Sequence, residues 1–116
     1  MYAFGVVLSF SRLLTTRAHR AGLAIAQKNL SGLARRQRMS IGFDFAVAEE
    51  YAQYGECGRY RAAYGGHAIE IEYADNGRAA FVRACRNHGD AWSVVYRDRD
   101  RDLVRPSNPR YRYDYC

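Results

Sequence analysis

Lysine is almost missing from this chain: Lys28 stands alone, so arginine supplies nearly all of a formal charge of +6. Proline is confined to Pro106 and Pro109, which leaves everything upstream free of its helix- and ladder-breaking effect. No apolar run approaches the ~20 residues that cross a bilayer, so no membrane span is expected. Met1 to Phe10 is mostly apolar but has neither the basic n-region nor the small-residue cleavage site of a signal peptide. His19, His67 and His88 are spaced for no metal site and read as structural, so neither a metal nor a cofactor is expected.

What is present narrows the class. With 116 residues, 48% of them hydrophobic, the chain is one folded domain rather than a disordered segment. The arginines at 35, 36, 38, 59, 61, 78, 83 and 86 are scattered among Glu56, Asp75 and Asp90, and the run Arg97 to Asp102 alternates in sign. That reads as a solvated exterior, not as the basic footprint of a nucleic-acid binder. Cys57, Cys85 and Cys116 include no CxxC pair. Cys116 ends a tail rich in Tyr and Arg, where a bridge to the helix-like run Arg78 to Asn87 through Cys85 would staple the tail to the body. Cys57 would then be free and the compartment oxidising; three buried free thiols are the alternative.

Four apolar stretches each run into polar residues. Leu23 to Gln27 ends in Lys28-Asn29, Phe43 to Ala48 in Glu49-Glu50, Ala68 to Ile71 in Glu72-Tyr73, and Trp92 to Tyr96 in Arg97-Asp98. The gaps are long enough for parallel crossovers, which need about a dozen residues. Helices are expected at Ser11 to Arg20, Asn29 to Arg38, Arg59 to Tyr64 and Arg78 to Asn87, with Tyr51 to Cys57 a loop and the segment after Val104 irregular. Four parallel βα units follow, as a small open α/β sheet or as half of a (β/α)8 barrel.

Strand tips of this kind collect functional side chains. Glycoside hydrolysis uses two carboxyl groups flanking the scissile bond, and Glu49 and Glu72 end consecutive strands, where both are expected to face one cavity. If Glu72 points inward, period-two alternation turns Glu70 inward beneath it. Lys28, at the preceding tip, would keep a carboxylate ionised. Tyr51, Tyr54, Tyr60 and Tyr64 are candidates either to stack on sugar rings or to pack the core.

In order, Gly22 to Asn29, Phe43 to Glu50, Tyr54-Gly55-Glu56-Cys57 and Ile71-Glu72-Tyr73 resemble glycoside hydrolase family 114, the endo-α-1,4-polygalactosaminidase-like proteins, over roughly residues 11 to 116. The resemblance implies a (β/α)8 barrel of which residues 1–116 form one domain, the C-terminal half, truncated at the N-terminus. It implies a secreted hydrolase acting on an α-1,4-galactosamine polysaccharide. Glu49 matches the glutamate of the family's Asn-Glu-Gln/Glu-Cys motif, the acid/base; Glu72 is the second catalytic candidate. Lys28, Asn29 and Tyr73 match residues of the substrate cleft. The chain departs from the pattern at Ala48, where the family has asparagine, and at Tyr51, where it has cysteine. The family's catalytic aspartate falls on an earlier strand, upstream of Met1. Half a barrel also leaves strands one and four with unpaired edges, a route to self-association. The alternative reading is a non-catalytic carbohydrate- or nucleic-acid-binding remnant.

Overall fold

The computed structural model of the chain describes residues 2–30, 32–51, 58–99 and 104–116. The Tyr54 to Cys57 motif, and with it the expectation of a free Cys57, lies outside the described residues. Helix α1 (Tyr2–Arg20) leads into β1 (Ala26–Lys28), α2 (Arg35–Ile41) and β2 (Phe45–Glu49). Then follow α3 (Arg59–Tyr64), β3 (Ala68–Tyr73), a single 3-10 turn (Ala74–Asn76), α4 (Arg78–His88), β4 (Ser93–Arg97) and β5 (Tyr113–Tyr115). The sheet runs β1-β2-β3-β4-β5, and its first three pairings are parallel. The four strands expected from the apolar stretches are therefore present, parallel and in chain order.

The sheet is open, not a closed barrel. One expectation about its edges is corrected: β5 adds antiparallel to β4 in the register Val95↔Tyr115, Tyr96↔Asp114 and Arg97↔Tyr113. The tail taken as irregular thus covers the edge of strand four, because Tyr and Arg can alternate across a ladder without an apolar core to declare them. A disulfide between Cys85 and Cys116, with Cα atoms 5.8 Å apart, fixes the end of β5 to α4.

Parity along each strand divides the sheet into two faces. Ala46 and Ala48 of β2, Ala68 of β3, and Val94 and Tyr96 of β4 are buried against Tyr60, Ala63 and Tyr64 of α3 and Phe81 and Ala84 of α4. The small alanines of β2 let the α3 tyrosines approach closely. Tyr51 joins this core edge-on to Tyr60 at 5.3 Å and to Trp92 at 5.8 Å, geometries in which aromatic pairs contribute about 0.5–1.5 kcal/mol beyond area burial. Tyr51, Tyr60 and Tyr64 are core residues, which removes them from the sugar-stacking candidates. The opposite face, carrying Phe45, Val47, Ile69, Ile71 and Val95, is only partly buried.

Helix α1 begins well upstream of the expected Ser11 and packs beside α2, where Thr15 Oγ1 donates to the Ile41 carbonyl at 2.5 Å and Arg12 to Ser40 at 2.8 Å. Leu13 and Leu14 are exposed rather than buried. Helix α2 closes at Gly42, whose φ of 102° lets its N–H reach the Arg38 carbonyl.

Candidate functional site

Glu49 ends β2, and three residues from neighbouring strand tips converge on it. After β1 the chain turns through left-handed backbone at Asn29 (φ 60°) and Leu30 (φ 63°). Gln27 holds this turn by donating Nε2 to the carbonyls of Asn29 at 2.6 Å and Leu30 at 2.7 Å, and is itself fixed by the Tyr64 hydroxyl at 2.5 Å. The Asn29 N–H continues the ladder to the Val47 carbonyl at 2.9 Å. Its side chain is thereby aimed along β2, where Oδ1 accepts from the Glu49 N–H at 3.0 Å and Nδ2 donates to Glu49 Oε2 at 3.1 Å. Asparagine is among the few side chains that tolerate this backbone region.

The other carboxylate oxygen, Oε1, accepts from the Tyr73 hydroxyl and lies 3.5 Å from Lys28 Nζ. The Tyr73 hydrogen bond, with help from Asn29 and Lys28, holds the Glu49 carboxyl below the usual carboxylate range against the opposing effect of burial. Burial first, and then Glu49 itself, push the Tyr73 hydroxyl up to about 12, so it remains a donor. Glu49 is three-quarters buried, whereas Lys28 is largely exposed. The result is an ionised carboxylate, gripped from both sides, at the C-terminal rim of parallel strands.

A second network supports the first. Glu50, also left-handed at φ 56°, accepts from Asn76 Nδ2 at 2.7 Å and pairs with Arg99. Arg99 donates Nε to Asp75 at 2.7 Å and spreads its guanidinium 4.2 Å over the Tyr73 ring. Left-handed backbone at non-glycine residues costs about 1–3 kcal/mol each and collects where side chains must be aimed; among the described residues all three cases fall at the tips of β1 and β2. Sequence reasoning missed Glu50, Asp75, Asn76 and Arg99. The doubled acid Glu49-Glu50 was a signal, but Asp75-Asn76 read as a turn and Arg99 as one member of a self-cancelling charge run.

Glu72 is corrected. Cα pairing sets Glu49 opposite Ile71 and Ala48 opposite Glu70, so Glu70 and Glu72 share the helix-covered face while Glu49 and Tyr73 share the other. Both acids have no exposed surface. Glu70 lies 2.7 Å from His88 Nδ1 on α4 and accepts from Trp92 Nε1 at 3.1 Å. Burial and the nearby Arg61 depress the His88 pKa, while Glu72 acts on it in the opposite sense. Buried carboxylates persist where such partners meet them, and this group ties α4 to the sheet. The expectation that Glu49 and Glu72 face one cavity fails on strand parity. His19 is likewise structural, 2.9 Å from Asp44. Among the described residues no group of three or more His, Cys, Asp or Glu side chains is arranged to hold a metal ion.

Parallel strands flanked by helices, with a buffered carboxylate at their carboxyl ends, define an α/β protein of the kind from which barrel enzymes are built. The profile of glycoside-hydrolase family GH114 matches residues 6–113, nearly the whole chain. The chain belongs to this TIM-barrel family, and its function is glycoside-hydrolase-like. No curated protein and no solved structure matches it.

Proposed function

We propose that the chain contributes to the hydrolysis of α-1,4-linked galactosamine-containing polysaccharide, with Glu49 as one of the two working carboxylates. The observation that carries this reading is the convergence of Lys28 and Asn29 from the tip of β1 and Tyr73 from the tip of β3 on Glu49 at the tip of β2. Lys28 orients and charges the carboxylate; it does not bind the cationic sugar. Asn29 and Tyr73 hold the carboxylate and border the substrate cleft. A group kept ionised suits the base or nucleophile half of a carboxyl pair better than a resting general acid, whose pKa must be raised. In the acid/base role, Glu49 accepts a proton from the attacking water. Burial behind the sheet leaves Glu72 no route to the same bond, so the second carboxylate is the early-strand aspartate that the family pattern calls for. In this reading the open sheet, its strand-four edge taken by β5, is the C-terminal half of a barrel, and the protein is secreted, as a disulfide suits. The free edge of β1 is its route to self-association.

The test is the release of reducing ends from an α-1,4-galactosamine polymer. It should be run on the chain and on a form extended upstream to include that aspartate, each with and without Glu49→Gln. Hydrolysis should depend on Glu49 wherever it occurs; turnover that survives Glu49→Gln removes the assignment.

A further inference from the structure

Tyr111, Tyr113 and Tyr115 stand at alternate positions of the last segment, and their rings form a ladder. Tyr111 and Tyr113 are stacked with centroids 6.5 Å apart and planes 24° apart; Tyr113 and Tyr115 follow at 6.0 Å and 41°. Tyr113 is 54% exposed and Tyr115 68%. An exposed row of large aromatic rings along one strand is unusual on a surface with no partner.

Its position is set by register. Tyr73 pairs with Arg97, and Arg97 pairs with Tyr113. Residues paired in this way share a face, so the ladder lies on the face that carries Glu49 and Tyr73, two strand spacings (~10 Å) from Tyr73. Arg97 fills the interval with its guanidinium 5.3 Å over the Tyr111 ring. Alternation sends Asp114 to the other face, where it pairs with Arg78 at the start of α4. Reciprocal hydrogen bonds between Val94 and Cys116 at 3.1 and 3.0 Å, and the Cys85–Cys116 bridge, pin the strand just beyond its last tyrosine. The rings are held in place before any ligand arrives, which lowers the ordering cost of binding.

We propose that the exposed rings of Tyr113 and Tyr115, with Tyr111 and Arg97 stacked behind them, form a sugar-stacking platform that extends the Glu49 site and takes successive units of an amino-sugar polysaccharide. Flat aromatic faces match the apolar C–H face of a hexose, and the hydroxyls supply donors and acceptors at the rim. An ammonium on the sugar is attracted to the negative ring face. The platform presents rings rather than carboxylates, so it suits a partly N-acetylated chain as well as a fully cationic one. The inference rests on the proposed substrate class but not on turnover.

The experiment is calorimetric titration of the 116-residue chain carrying Glu49→Gln with soluble, partly N-acetylated α-1,4-galactosamine oligomers. Replacing both exposed rings, Tyr113→Ala with Tyr115→Ala, should weaken binding about tenfold or more, each ring contributing as aromatic contacts do. The double phenylalanine variant should stay within about threefold, because the stacking faces remain. Tyr115→Ala alone, at the most exposed ring, keeps the test valid if the double variant fails to fold, and should weaken binding severalfold. Equal binding by the alanine variants would overturn the platform. So would the absence of saturable binding by the parent, even if the chain with Glu49 intact hydrolyses the polymer, and that result would leave the proposed function standing. Self-association abolished by the same alanines, with no sugar bound, would mark the ladder as a protein contact and also overturn it.

Discussion

Cutting the Cys85–Cys116 bridge should release β5 while leaving the four parallel strands in place. Cys116→Ser removes the cross-link with little change of volume. The two cysteines are 31 residues apart, a loop for which the chain-entropy account gives about 3.5–4 kcal/mol and measured cases give about 2–4. Without the bridge, β5 is held by its short ladder to β4 and by the exposed Arg78–Asp114 pair, the latter worth about 1 kcal/mol or less. Fixing each backbone residue costs about 1–2 kcal/mol, so three strand residues outweigh those attachments. Thermal unfolding should therefore move down by roughly 10 °C. Hydrogen exchange at Tyr113, Asp114 and Tyr115 should rise to unprotected rates, while Ile69, Glu70 and Ile71 in β3 stay protected. Continued protection of β5, or a melting shift under about 2 °C, would refute the view that the bridge holds this strand.

Gly89→Ala should destabilise the same corner. A Cβ there would sit 2.6 Å from the Cys85 carbonyl oxygen and 3.3 Å from Cys116 Sγ, and backbone cannot swing aside. A loss of about 1–3 kcal/mol is expected in urea unfolding, and a change below about 0.5 would contradict it. Tyr73→Phe removes the hydrogen bond that does most to hold the Glu49 carboxyl low, so its pKa should rise. Because that pKa is depressed in the folded state, Glu49 contributes stability above the ordinary carboxylate range that is lost as pH falls; the variant should lose less on acidification. An NMR titration of the carboxyl carbon checks this, and an unmoved or lowered midpoint would count against the geometry.

The strands were readable because each apolar run ends abruptly in charge, and the site residues Lys28, Asn29, Glu49 and Tyr73 lie at those ends. Strand parity was not readable. In Ala68-Ile69-Glu70-Ile71-Glu72-Tyr73 either alternate set can face the helices when both faces are covered, and hydropathy favours the isoleucines there. The acids took that face because His88 and Trp92 meet Glu70, partners that only the fold brings near. Strand β5 escaped notice for a related reason: Tyr113 to Tyr115 is three residues long, carries no apolar core, and pairs with a strand distant in sequence, although its disulfide was legible. The Arg99 link to Glu50 and Asp75 is likewise a product of strand adjacency.

Reducing-end release from an α-1,4-galactosamine polymer by the upstream-extended form, compared with the same form carrying Glu49→Gln, tests the central claim most directly. The account predicts that the variant remains folded and loses about a hundredfold or more of the rate. Hydrolysis within about twofold of the parent would contradict it.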